Sequence, residues 1–101
     1  MTVRVMLRRR VARAKEAEVY PLIVKMRSLA TIQPGYISGE TLVNADDREE
    51  VLVISTWNDL DSWRDWLISK ERSEINEKIE PLLQEPTEVN AYFYGDEFLY
   101  K

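Results

Sequence analysis

The segment Val51-Leu-Val-Ile-Ser-Thr-Trp57 limits the fold more than any other stretch, because both of its strand phases are largely apolar. Val51, Val53 and Ser55 alternate with Leu52, Ile54 and Thr56, and a strand of that kind belongs in the middle of a sheet with something covering each side. The period changes at once. Asn58 or Asp59 can cap a helix through a side-chain oxygen, and Leu60, Trp63 and Leu67 then mark one helical face with Trp66 beside them. Three tryptophans therefore fall within ten residues across a strand-to-helix junction. Each is a large apolar surface with one N–H donor, so the cluster either fills a core or lines a cavity for a flat, aromatic ligand.

The remaining elements follow from the same two periods. Thr2 to Arg10 alternates Val3, Val5 and Leu7 against Arg4, Met6 and Arg8, as a half-buried strand does. Ala17 to Ile32 reads as a helix with one stripe of Val19, Leu22, Ile23, Met26, Leu29 and Ala30, Pro21 being tolerable only in or near the first turn. Gln33-Pro-Gly ends it, with Gly35 serving a turn and Gly39 a bulge or close approach. A strand over Tyr36–Asn44 then pairs through the polar turn Asn44-Ala-Asp-Asp-Arg48 with Glu50–Trp57 as an antiparallel hairpin. Ser69-Lys-Glu-Arg72 interrupts the second helical stripe before Ile75, Ile79, Leu82 and Leu83, which predicts two consecutive helices with a bend. A fourth strand covers Glu88–Tyr94.

The order β-α-β-β-α-β is the split βαβ pattern, and right-handed crossovers place both helical layers on one face of a four-stranded antiparallel sheet. The fold class is therefore α+β, ferredoxin-like. Because the strands carry apolar or aromatic residues on both sides, the bare face is expected to meet a second copy in a homodimer. Residues 1–95 form the domain. Residues 96–101 form a C-terminal tail whose Phe98, Leu99 and Tyr100 are apolar enough to dock on the domain or on a partner.

Composition narrows the chemistry. The 101 residues contain no cysteine and no histidine, which removes disulfides, thiolate chemistry, the commonest metal ligand and the commonest general base. No metal or cofactor motif is present. A net charge of −4 argues against a nucleic-acid partner, and no apolar run approaches the ~18 residues of a membrane span, so a cytoplasmic protein without membrane contact is expected. Against this acidic background stands a basic start, Arg4, Arg8, Arg9, Arg10 and Arg13. It either holds an anionic ligand or is a solvated strand end paired with acidic surface.

Pro34-Gly-Tyr-Ile-Ser-Gly-Glu40 after the first helix, the strand end Ser55-Thr-Trp57, and Ser62-Trp-Arg-Asp-Trp66 with Ser69 and Arg72 together resemble the antibiotic biosynthesis monooxygenase domain over about residues 3–94. The resemblance implies a dimeric α+β barrel of ferredoxin-like halves, each with a cavity between helices and sheet. It also implies one of two activities. In the branch that oxidises aromatic polyketides such as anthrones with molecular oxygen and no cofactor, Trp57 matches a tryptophan ending the third strand, while Val53 and Trp63 replace an asparagine and a tyrosine. In the haem-degrading branch, Trp66 matches a tryptophan pressing on the porphyrin, but Asn76 stands where a histidine ligates iron, and a carboxamide is a poor haem ligand.

Candidate substrate contacts are Trp66, Trp57, Trp63, Asn90 and Tyr92; no catalytic residue is identified. Trp66 lies about 60° off the Leu60–Trp63–Leu67 face at ~100° per residue and can edge a cleft, whereas Trp57 and Trp63 also suit a core. Asn90 and Tyr92 share a strand face with Tyr94, suited either to hydrogen bonds with a quinone or phenol oxygen or to a dimer interface. Glu40, on a face with Tyr36, Ser38 and Leu42, would serve as a base only if buried. The expected function is a cofactor-independent monooxygenase-type domain acting on a small aromatic or quinone-like molecule between helix two and the sheet. The alternatives are a non-catalytic dimeric binding or stress-response module and a purely structural partner domain.

Overall fold

The computed structural model describes residues 1–100. Strand β1 spans Val3–Arg10, helix α1 Glu16–Ala30, β2 Tyr36–Val43, β3 Glu50–Trp57, α2 Leu60–Leu67, α3 Lys70–Ile79, β4 Glu88–Phe93 and a short α4 Asp96–Leu99. The strands form one sheet in the order β2-β3-β1-β4 with every neighbour antiparallel. This is the α+β, ferredoxin-like arrangement that the alternation of periods predicts.

The two central strands supply the core. Val3, Val5, Leu7 and Arg9 of β1 lie opposite Trp57, Ser55, Val53 and Val51 of β3, and all eight are buried beneath the helices. From above come Val19, Ile23, Met26 and Ala30 of α1, Trp63 and Trp66 of α2, and Ile75 and Ile79 of α3. Removing each aliphatic side chain from water contributes roughly 1.5–3 kcal/mol. On the other face of the sheet, Ile54 is buried and Leu52 and Met6 are half-buried, while Leu42 and Tyr92 are exposed. β4 is exposed along its whole length.

Local chemistry sets the joints. Asp59, not Asn58, caps α2, its Oδ1 accepting from the Ser62 N–H at 2.8 Å. Ser69 caps α3 by accepting from the Arg72 N–H at 3.2 Å, so the predicted bend is two separately capped helices. In the hairpin turn, the Asn44 side chain accepts from the Asp46 N–H at 2.8 Å, an Asx turn. Gly35 has φ +86°, and a side chain there would collide with Ser62 in the first turn of α2.

Two expectations are corrected. Helix α1 begins at Glu16 and ends at Ala30, which puts Pro21 in its second turn; Pro21 and Ala17 are exposed there, so the carbonyl freed by the missing N–H can be solvated. A register shift between Tyr36 and Ser38 turns Tyr36 to the helix side, away from Ser38, Glu40 and Leu42, because a bulge reverses the face of every residue beyond it. The tail, expected to dock on the domain or on a partner, touches its own domain through Phe98. Phe98 meets Phe93 at a centroid distance of 6.0 Å, and Phe98, Leu99 and Tyr100 all stay exposed. Among the described residues, no helix is long and apolar enough to cross a membrane.

Candidate functional site

Strand alternation divides the basic start of the chain into two populations. Arg4, Arg8 and Arg10 occupy the face away from the helices, and each meets carboxylates. Arg8 reaches Glu50 at 2.8 Å and Glu85 at 3.1 Å, Arg10 reaches Asp47 at 2.8 Å, and Arg4 reaches Glu40 at 3.7 Å. The guanidinium groups of Arg8 and Arg10 hold the Glu50 and Asp47 carboxyls below their ordinary range. Arg9 takes the opposite phase and points under the helices, where it is 2% exposed.

There Arg9 shares the interior with Arg72, 6% exposed, from α3. Neither has a carboxylate within 4.0 Å among the described residues. The Arg9 Nη2 donates to the thioether of Met26 at 3.6 Å, and the Arg72 guanidinium lies 5.8 Å from the Trp63 ring centroid. A thioether is a weak acceptor and a ring face a weak anchor for a full charge. Both Nε atoms are buried and donate to nothing. Burial pushes Arg9 down to about 10, helped by the like charge of Arg72 and opposed by Glu80. Burial likewise lowers Arg72. At about 10, Arg9 remains a cation at neutral pH.

These two side chains line a small space of about 40 Å³ between the helices and the sheet, walled also by Met26, Arg27, Tyr36, Ser55 and Trp66. Ser55 accepts from the Trp57 Nε1–H at 3.0 Å, which leaves its own hydroxyl hydrogen free to donate. Gly39 completes the wall, because a side chain there would strike the Tyr36 hydroxyl. No acidic side chain contributes. A larger and mostly apolar cleft of about 430 Å³ lies between α1 and the β2–β3 hairpin, lined by Tyr20, Val24, Ser28, Thr31, Thr41, Val43 and Val51. Ile23 and Arg27 belong to both walls, and Arg27 Nη2 donates to the Gly39 carbonyl at 2.6 Å across the partition.

The residues singled out from the sequence fall in three places. Trp66 lines the inner space. Trp57 and Trp63 are packed solid, Trp57 meeting the Tyr36 ring edge-on at 5.3 Å and Trp63 at 5.9 Å, and neither lines either space. Asn90 and Tyr92 pair with Met6 and Arg4 on the opposite side of the sheet, exposed. Glu40 is exposed there too, near Arg4. Neither arginine stands out along the chain as a site residue, Arg72 lying in a polar helix start and Arg9 within the basic run. The signal was present: Arg9 continues the buried phase Val3-Val5-Leu7, and Arg72 begins the buried series Arg72, Ile75, Ile79.

Comparison with known proteins agrees with this architecture. The model of the family described as antibiotic biosynthesis monooxygenase matches residues 2–78. A conserved protein from Methanosarcina mazei Go1 superposes with a TM-score of 0.85 at 22% identity, covering 91% of each chain. SnoaB, a cofactor-independent oxygenase from Streptomyces nogalater, gives 0.82 at 19% identity with 92% of each chain covered. Rv0793 from Mycobacterium tuberculosis gives 0.84 at 16% identity, over 93% of this chain and 95% of that one. No curated protein sequence matches. At these identities the structures speak for the fold, and the family match over most of the chain speaks for descent: the protein belongs to the antibiotic biosynthesis monooxygenase family.

Proposed function

We propose that this chain is a cofactor-independent monooxygenase domain whose substrate is a flat aromatic molecule of the phenol, anthrone or hydroquinone class. One observation carries the proposal. The apolar cleft of about 430 Å³ beside α1 falls in the size range of small-molecule sites in a chain of this family. Such a substrate supplies the electrons itself. For an anthrone, loss of the acidic ring-methylene proton to water gives an enolate, dioxygen forms a bond to the activated carbon, and loss of water leaves a carbonyl. One methylene and one dioxygen thus become one carbonyl and one water, the carbon giving up four electrons and the two oxygen atoms taking them. The protein's part is to orient the ring and exclude bulk water.

Within this proposal Trp66 contacts the substrate from the inner end. Trp57 and Trp63 act as the packed wall behind it, and Asn90 and Tyr92 take part in a homodimer contact across the bare face of the sheet. That face offers Leu42, Tyr92 and the half-buried Met6 to a twin subunit.

A second reading, a dimeric module that holds the same class of molecule without turning it over, is favoured by the absence of any carboxylate from both linings. Oxygen uptake with an anthrone and with a hydroquinone tests the first. The expected result is uptake above the uncatalysed rate, with one dioxygen consumed per carbonyl formed from the anthrone, abolished when Thr41→Trp fills the cleft. Quenching of tryptophan fluorescence without uptake selects the second reading; neither signal overturns both.

A further inference from the structure

We infer that Arg9 and Arg72 form a recognition site for an anionic oxygen group, a carboxylate or an ionised phenol, carried at the end of a ligand whose apolar body occupies the outer cleft. The inference uses the cleft of the proposed function but requires only binding, so it stands or falls apart from turnover.

A buried cation is ordinarily paired or hydrogen-bonded, because desolvation without compensation is among the largest costs in a fold. Arg9 and Arg72 are each more than nine-tenths buried, stand in the same small space as Arg27, and keep a buried Nε–H with no acceptor. Every other arginine of the first strand has its carboxylate, as close as 2.8 Å for Arg8 and Arg10. The acid nearest in effect is Glu80. It sits half-buried, outside salt-bridge distance of both arginines, and takes the Thr87 N–H at 3.4 Å.

Size and geometry define the missing partner. A space of about 40 Å³ exceeds the one-water minimum of roughly 10–15 Å³ and suits a carboxylate, while a ring system must remain in the cleft of about 430 Å³. Guanidinium groups match planar oxyanions through paired N–H donors. The Ser55 hydroxyl, already accepting from Trp57, adds a donor of the right polarity. Because Ile23 and Arg27 wall both spaces, the two adjoin, and an elongated acid reaches inward with its head and leaves its body outward once the Arg27–Gly39 hydrogen bond opens.

The test is isothermal titration calorimetry of the full chain with two matched pairs: 2-naphthoate against 2-naphthamide, and 2,4-dinitro-1-naphthol, ionised at neutral pH, against its methyl ether. We expect at least one anion to bind about 10-fold or more tightly than its neutral partner, as charged hydrogen bonds do. The pair that discriminates tells a carboxylate head from a phenolate. Arg9→Met and Arg72→Met should each erase that preference while leaving the neutral compound within about 3-fold, and Arg72→Lys should restore part of it. Equal binding of both anions and both neutral partners overturns the inference, as does a preference that survives both methionine variants. Should a methionine variant fail to fold, Arg9→Gln and Arg72→Gln read the same discrimination. A null result in oxygen uptake leaves this outcome untouched.

Discussion

Two groups of polar side chains are buried beneath the same helical layer, and they meet opposite fates. In the tryptophan cluster, the one polar atom of Trp57 finds Ser55 at 3.0 Å, and its rings are closed off by Tyr36 and Trp63. In the arginine pair, a thioether and an aromatic face stand in for carboxylates and both Nε–H groups go unmet. A satisfied and densely packed cluster is what stability alone produces. An unsatisfied one, held in place by packing, costs stability and persists where a function requires it.

Mutations should therefore separate the two regions by sign as well as size. The largest loss is expected for Trp57→Ala, about 3–5 kcal/mol in urea unfolding, because this fully buried ring is a hub of the packed side. If Trp57→Ala costs under about 1 kcal/mol, the cluster is not the solid core described. Next comes Gly35→Val, at about 1–3 kcal/mol by the same measurement, since its φ of +86° and the Ser62 contact fix how the first turn of α2 docks beside Trp63. Asp59→Ala removes the cap of that helix and should lower the melting temperature by about 4–8 °C.

The smallest effect at neutral pH belongs to the open-face ion pairs, which serve as a control for the buried arginines. Glu50 lies below its ordinary value of 4.5 because Arg8 and then Asn44 hydrogen-bond to it. A carboxyl lowered by folding stabilises the fold above its unfolded value and loses that contribution as pH falls through the folded one. Glu50→Gln should thus lower stability slightly at pH 7, where the Arg8 pairing is fully formed, and flatten the acid limb of a stability–pH curve, the two proteins converging as pH falls below about 4.5. An equally steep acid limb in the variant would show that the Arg8 pairing contributes nothing.

The elements were largely legible because each is short and strongly periodic. Glu50–Trp57 reads as a central strand from its own composition, and the helical break at Ser69 reads from the interrupted stripe. The face of Tyr36 was not legible, because a bulge changes register without any local marker. The site was legible only in part. A tryptophan cluster advertises either a cavity or a filled core, and the approach of Tyr36, distant along the chain, together with the turn of α2 back onto the end of β3 closes the space around Trp57. The arginines carried the better signal. A charge continuing the buried phase of β1, and another starting the buried series of α3, contradict their surroundings in a way that charge counting along the run Arg8-Arg9-Arg10 conceals.

Whether the fold keeps Arg9 for a ligand at a cost to its own stability is decided by equilibrium urea unfolding of ligand-free Arg9→Met beside the unaltered chain. The variant should be more stable by about 1–3 kcal/mol, since an apolar side chain of similar reach replaces an unpaired buried cation. A variant less stable by about 1 kcal/mol or more would contradict it, showing that Arg9 already has within the fold the partner we assign to a ligand.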